Sequence, residues 1–403
     1  MSDKIVILGA GQAAAQAVTS LRAEGFSGAI TVVGDEPFPP YQRPPLSKAY
    51  LLGKLERDRL FLKPDQFYVE AGVDLRLGVK ATAIDRSAHC VKLSDGSSIA
   101  YDRLLLATGT RVRRINVPGA DLEGVHYLRS IADVDLLRPA LAPGKRLAVI
   151  GGGYIGLEVA AVAVKLGLEV TVFEALERLM ARAVSPLLSE FYLAEHRAAG
   201  VGFHLKTGVD GFIGEGRLRA IRAAGAEYAA DLALVGIGVL PNTEIAAAAG
   251  LSCDDGIVVD RYCASVDDPA IFAAGDCTRH HGRDGVLLRL ECVQNAIDQA
   301  KHAALAMIGR PTPYSEVPWF WSDQYDLKMQ IAGLARPGDE LVQRGDPATR
   351  KFAVFHLRKG QVAAVEAVNA APEYIVGRKL ITDGTPVSAE RLADTTIPMK
   401  QIV

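Results

Sequence analysis

Lys4-Ile5-Val6-Ile7-Leu8-Gly9-Ala10-Gly11-Gln12-Ala13-Ala14 opens the chain, and Arg146-Leu147-Ala148-Val149-Ile150-Gly151-Gly152-Gly153-Tyr154-Ile155-Gly156 repeats its plan in the middle. Each stretch is a short apolar run that ends in a glycine-rich turn and opens a helix-forming segment. The first helix is expected from about Ala13 to Glu24, stopped by Gly25, and the second from about Gly156 to Lys165, ending at Gly167. Each is followed by a second apolar run, Ala29 to Val33 and Glu169 to Phe173, and then by an acid, Asp35 or Glu174. Asp35 lies 26 positions after Gly9 and Glu174 lies 23 after Gly151.

A lone glycine triad carries little information. Strand, turn, helix, strand and acid in fixed order, occurring twice, describe two dinucleotide-binding units. The turns call for Gly9 and Gly151 as tight bends, and for Gly11 and Gly153 where the backbone must approach a pyrophosphate. Ala14 and Gly156 stand where helix and strand pack closely. The pyrophosphate is held against the positive end of the helix. Asp35 and Glu174 are placed to accept from ribose hydroxyls. Glu174 would also repel a 2′-phosphate, which favours NADH over NADPH, although Arg178 and Arg182 follow closely enough to leave room for that phosphate.

Two distant segments complete the first unit. Leu104 to Leu106 runs into Ala107-Thr108-Gly109, and Ala270 to Ala274 runs into Gly275-Asp276. Such a split predicts that the second unit is inserted in the first. The expected fold is therefore α/β, with two Rossmann-like domains and a C-terminal α+β domain. Residues 1–110 and 241–313 form the first domain, 111–240 the second and 314–403 the third. In the third, both tryptophans cluster at Trp319 and Trp321. Lys351 to Leu357 and Gln361 to Val368 alternate like a hairpin about Lys359-Gly360, and Glu373 to Leu380 reads as a helix.

The 403 residues are 49% hydrophobic with a formal charge of −2, which supplies large cores and no overall basic field for nucleic acid. No stretch suits a membrane span or a signal peptide. The five cysteines include no C-x-x-C pair, so a reduced, cytoplasmic chain without a dithiol or metal site is expected.

Pro40-Tyr41-Gln42-Arg43-Pro44-Pro45-Leu46-Ser47-Lys48, Ala107-Thr108-Gly109, Gly275-Asp276 and Trp321-Ser322-Asp323-Gln324 together resemble the FAD-dependent pyridine nucleotide-disulfide oxidoreductase superfamily, in its branch of ferredoxin reductases of bacterial oxygenase systems. The resemblance spans essentially the whole chain. It implies FAD on the first unit, through Gly9, Gly11, Ala13, Ala14, Asp35, Arg43, Lys48, Ala81, Arg129, Asp276, Val293 and Trp321. It implies NADH on the second, through Gly151, Gly153, Ile155, Gly156, Glu158, Glu174 and Gly238. Lys48, Glu158 and Trp321 are placed by the resemblance near the flavin, Lys48 and Glu158 as a pair.

A hydride would pass from NADH to FAD, and single electrons would then go to a [2Fe–2S] ferredoxin serving a cytochrome P450 or an oxygenase. Taken by themselves, several of these residues read otherwise. Asp276 suits a helix N-cap, Arg129 a solvated charge, Trp321 a core aromatic, and Glu158 a partly exposed helix-face ion pair. His280-His281 reads as an exposed loop pair.

Ser47 and Lys48 stand where disulfide reductases of the superfamily carry cysteine, so no thiol is expected to react. Rubredoxin reductase, monodehydroascorbate reductase and a flavin-bound NADH sensor of the apoptosis-inducing-factor type share the same cofactor apparatus and stay open as alternatives. Arg344, Arg350, Lys351 and Lys400 offer positive charge for an acidic ferredoxin despite the net charge.

Overall fold

The computed structural model describes residues 3–402. The chain divides into two compact units. One comprises the N-terminal segment up to Arg43, Glu56–Arg111 and Val239–Glu316; the other comprises Pro44–Leu55, Val112–Gly238 and the chain from Val317 on.

In the first unit, the strand Lys4–Leu8 lies in register between Ala29–Gly34 and Arg103–Leu106, all parallel. Ile271–Ala273 and Val73–Leu77 close the two edges of this five-stranded sheet. Parallel central strands are covered on both faces, which explains the unbroken apolar run Ile5 to Leu8, buried throughout. The helix Gln12–Ala23 buries Ala13, Ala14, Ala17, Val18 and Leu21 at helical spacing. Its small residues share one core with Ala300, Ala303 and Ala304 of the helix Val293–Met307. Strand Ile271–Ala273, far along the chain, pairs with Arg103–Leu106, as the split first unit requires.

The second unit holds the second parallel sheet. Arg146–Ile150 lies between Glu169–Phe173 and Leu232–Val235, with Gly202–His204 and Val125–His126 at the edges. The helix Tyr154–Lys165 is buried along most of its length. The same unit carries an antiparallel sheet in the spatial order Trp319–Gln324, Leu327–Gly333, Gln361–Val368, Lys351–Arg358, Glu340–Asp346. The helix Ala371–Asp383 covers it, with Gly377 so close that a Cβ would lie 2.7 Å from Val365. One apolar cluster joins Leu157, Leu188 and Tyr192 of the nucleotide fold to Leu327, Met329 and Phe352 of the antiparallel sheet. Among the described residues, no helix is long and apolar enough to cross a membrane.

Candidate active site

Both glycine turns have the geometry that their sequences call for. Gly9 has φ +106°, and a Cβ there would lie 2.1 Å from the carbonyl oxygen of Ala107. Gly151 has φ +105°, and its Cβ would lie 2.4 Å from the carbonyl oxygen of Gly236. Only glycine fits a left-handed backbone at such a crossing. Gly11 and Gly153 are the N-caps of the two helices. A Cβ on either would meet nothing within 4 Å. Neither helix has a side-chain cap or an acid in its first turn. Each therefore presents uncapped N–H groups and an uncompensated positive end to open ground, and this donor set fits a pyrophosphate.

The acids differ. Glu174 is half-buried and locked: Oε2 accepts from Gly152 N–H at 2.6 Å and Oε1 from Leu176 N–H at 2.7 Å. Asp35 is exposed beyond the end of its strand. Its neighbour Glu36, not singled out by sequence, takes the Tyr41 hydroxyl at 2.6 Å and Arg43 at 2.7 Å. Arg43 is thus an ion-paired residue of the first unit. Arg178 donates to the carbonyls of Val184 and Ala181, both at 2.7 Å, so its guanidinium is committed to the backbone. Ile155, in the first turn of its helix, is an exposed isoleucine, and Gly238, with φ +99°, has open space at its Cβ position.

Asp276 sits half-buried in the turn after Ile271–Ala273 and accepts from the Thr110 hydroxyl at 3.3 Å. No helix begins there, so the N-cap reading fails; a strand, Thr278–His281, follows. Val293 opens the helix capped by Cys292, whose Sγ accepts from Asn295 N–H. Ala81 starts a strand. Arg129 precedes the Ser130–Asp133 capping box and is half-buried, so it is no fully solvated charge.

Glu158 anchors the densest polar cluster. It is 3% exposed. Lys48 Nζ and Ser47 Oγ stand 2.6 and 2.5 Å from Oε2, and Ser322 Oγ stands 2.6 Å from Oε1. The ion pair is real and its Lys48 end partly exposed, but Glu158 is buried rather than on an exposed helix face. A carboxylate this deep persists because three donors replace its water. Those donors come from the proline-stiffened segment Pro44–Leu55 and from the strand Trp319–Gln324, which explains why that segment packs with the second unit. Sequence reasoning paired Lys48 with Glu158 but missed Ser47 and Ser322. Ser322 and Gln324 alternate inward on their strand, and polar residues at that spacing were the available signal. Trp321 points the other way, half-buried, its ring 5.6 Å from Trp319.

Two further expectations need correction. His280 is buried on a strand and bonded to Gln299 at 3.1 Å, and burial pulls its pKa to about 4; only His281 is exposed. Arg344 is 4% exposed and clasps the carbonyls of Leu392, Asp394 and Ile397 beside Glu373, so it is no docking charge. Arg350 is paired with Asp326 and Glu195. Lys351 and Lys400 are exposed.

Comparison with known proteins agrees over nearly the whole length. Residues 3–303 match the family described as pyridine nucleotide-disulphide oxidoreductase, and residues 319–403 match a reductase C-terminal domain. The chain is 44% identical over 402 residues to the 5,5'-dehydrodivanillate O-demethylase ferredoxin reductase subunit of a Sphingobium species, covering 98% of this chain and 97% of that protein. It is 46% identical over 400 residues to rhodocoxin reductase of Rhodococcus erythropolis, covering 98% and 93%. Its fold matches the reductase in the covalent putidaredoxin reductase–putidaredoxin complex with a TM-score of 0.96 at 40% identity, over 99% of this chain and 98% of that one. Two glycine turns of matching geometry, a thiol-free Lys48–Glu158 cluster and this full-length likeness lead to one conclusion: the chain belongs to the FAD-dependent pyridine nucleotide-disulphide oxidoreductase family, among its ferredoxin reductases.

Proposed function

We propose that this chain transfers electrons from NADH to a [2Fe–2S] ferredoxin that serves a cytochrome P450 or a ring-hydroxylating oxygenase. The balance is one NADH and two oxidised ferredoxins giving NAD+, two reduced ferredoxins and one proton. Bound FAD supplies the change from a two-electron hydride donor to one-electron acceptors. The observation that carries this reading is the Glu158 cluster. At the position where a thiol would be needed, the chain has Ser47 and Lys48, both bound to a buried carboxylate.

The thiols fit a passive role. All five are unpaired. Burial pushes Cys253, Cys263 and Cys277 up and Cys292 to about 11, so none of these four is a ready thiolate at neutral pH. Free thiols also suit the cytoplasm, where we place the chain.

In this reading residues 1–110 and 241–313 hold FAD, 111–240 hold NADH, and 314–403 form the third domain. Gly9, Gly11, Ala13 and Ala14 shape the FAD pyrophosphate turn, and Asp35 takes the ribose. Asp276 accepts from the ribityl chain, and Ala81, Arg129, Arg43, Val293 and Trp321 line the remainder. Gly151, Gly153, Ile155 and Gly156 shape the NADH turn, Glu174 takes the ribose hydroxyls, and Gly238 leaves room for the nicotinamide arm. Arg178 is engaged by carbonyls while Arg182 is exposed nearby, and in this reading the Glu174 carboxylate favours NADH. Glu158, buried, and Lys48, partly in contact with water, provide fixed charge beside the reacting rings, already oriented and so needing little reorganisation.

Stopped-flow mixing of NADH-reduced protein with candidate [2Fe–2S] ferredoxins from the same cell tests the proposal. Reduction of two ferredoxins per NADH supports it. Rapid reduction of a rubredoxin or of monodehydroascorbate, with ferredoxins inert, would replace it.

A further inference from the structure

Glu158 ends a longer line of polar groups, and elementary hydrogen-bond chemistry fixes the direction of every hydrogen in it. With the Lys48 ammonium 2.6 Å from Oε2, the carboxylate is an acceptor on both oxygens. Ser322 must therefore donate its only hydrogen to Oε1 at 2.6 Å. Its own oxygen is left to accept from Gln324 Nε2 at 3.3 Å. That sets the amide with Oε1 facing His196 Nε2 at 2.8 Å, so His196 carries its hydrogen on Nε2. Nδ1 then accepts from the Tyr325 hydroxyl, also at 2.8 Å.

Glu158, Ser322, Gln324 and His196 are all buried. Burial pulls the His196 imidazole below its ordinary range despite the Gln324 bond, which keeps one hydrogen on the ring. Burial likewise pushes the Tyr325 phenol up, so it keeps its hydrogen too. The reverse orientation would place the Ser322 oxygen, with no hydrogen between, against the carboxylate.

We propose that Tyr325, His196 and Gln324 are positioning residues for the Lys48–Glu158 pair, acting as a one-way chain of donors that holds the Ser322 hydroxyl on Glu158 and so holds the carboxylate towards Lys48. The proposal rests on the reading of that pair as the charge beside the reacting rings. It ties the turn after the strand Trp319–Gln324 and the helix Pro186–Ala198 to a carboxylate on a third element, the helix Tyr154–Lys165. A chain polarised from one end differs from a merely structural network in one respect: a change at Glu158 must be felt at His196 through two intervening residues.

The test uses full-length, flavin-loaded protein labelled with 15N-histidine, with His196 assigned through His196→Gln. At neutral pH His196 is expected as the neutral Nε2–H tautomer. Glu158→Gln gives Ser322 a donor in place of an acceptor and allows the chain to reverse, so His196 should move towards the Nδ1–H form. Ser322→Ala should loosen the same preference. Gln324→Leu removes two neutral hydrogen bonds and should slow hydride transfer from NADH by up to about tenfold, the size of one such bond, with FAD content and NADH affinity kept. Tyr325→Phe should lose less.

An Nδ1–H tautomer in the parent, or a tautomer indifferent to both Glu158→Gln and Ser322→Ala, would overturn the proposal. So would a Gln324→Leu protein with the parent rate while Glu158→Gln is slow. A tautomer shift with the parent rate in Glu158→Gln itself would instead overturn the role of the Lys48–Glu158 pair and leave the hydrogen-bond chain standing.

Discussion

In the first turn a Cβ on Gly9 would press within 2.1 Å of Ala107, and in the second a Cβ on Gly151 would press within 2.4 Å of Gly236. The same crossing is built twice, but the helices behind it differ. Aligning Gly9 with Gly151 sets Ala14 opposite Gly156 and Gln16 opposite Glu158. Ala14 packs with its methyl in the core, whereas a methyl at Gly156 would lie 2.3 Å from the Gly151 carbonyl oxygen. Gln16 is half-buried and bonds Ser20 one turn along, whereas Glu158 is buried with donors from three residues far away in sequence. The backbone that recognises a dinucleotide is common property of both copies. Of the two described helices only Tyr154–Lys165 buries a charged residue, and the proposed place of the nicotinamide at that copy rests on it.

Four tests sharpen or break this contrast. The largest effect is expected from Glu158→Ala, which leaves Lys48, Ser47 and Ser322 without their acceptor. Breaking a buried pair costs about 3–5 kcal/mol, and less here because Lys48 keeps some contact with water. Flavin reduction by NADH should fall by about a hundredfold, as for loss of a preorganised charge. Gln16→Ala should change stability by less than about 0.5 kcal/mol. Urea denaturation and rapid-mixing absorbance of the two variants measure both; equal effects would end the contrast.

Gly156→Ala comes next. Overpacking of about 1–3 kcal/mol is expected at the turn, with NADH affinity reduced by about tenfold and FAD retained. Ala14→Gly should cost only about 1 kcal/mol and leave NADH binding alone. Titration calorimetry with NADH distinguishes the two copies, and an equal loss of FAD from both variants would contradict the assignment of cofactors to turns.

A smaller, several-fold effect is expected of Glu174→Ala on the ratio of kcat/KM for NADH to that for NADPH, chiefly through poorer use of NADH. Equal kcat/KM values for the two cofactors in the parent would remove Glu174 as the discriminator and, with Arg178 held by carbonyls, point to exposed Arg182 as the phosphate partner.

Smallest is the effect of salt. Exposed Lys351 and Lys400 remain as local positive charge once Arg344 and Arg350 are accounted for. Between about 0.1 M and 1 M salt the Debye length falls from about 10 Å to about 3 Å. The KM for ferredoxin should rise over that range while flavin reduction by NADH changes little. A KM flat with salt would place docking on uncharged contacts.

Local sequence carried the fold because each glycine turn is a self-contained pattern of strand, bend, helix and acid, and each element needed only its neighbours to be read. The Lys48–Glu158 pair was legible only through the family likeness, since the two lie in segments that nothing local connects. Ser322, Gln324, Arg344 and His280 were misjudged or passed over for one physical reason: strand parity sends alternate residues to opposite faces. Arg344 shares the inward face of its strand with Val342, and His280 shares that of Thr278. Reading charge without parity made buried groups look solvated. The His196 contact joins elements more than a hundred residues apart and had no local signature at all.

The central claim is that electrons pass from NADH to ferredoxin with no thiol in the path. Its most direct test is stopped-flow spectroscopy of a variant in which Cys90, Cys253, Cys263, Cys277 and Cys292 are replaced by alanine or serine, mixed with NADH and then with the [2Fe–2S] ferredoxin. The account predicts two ferredoxins reduced per NADH at close to the parent rate, and no long-wavelength thiolate–flavin charge-transfer band in the reduced parent. Such a band in the parent, lost together with ferredoxin reduction in a folded, flavin-loaded thiol-free variant, would contradict it.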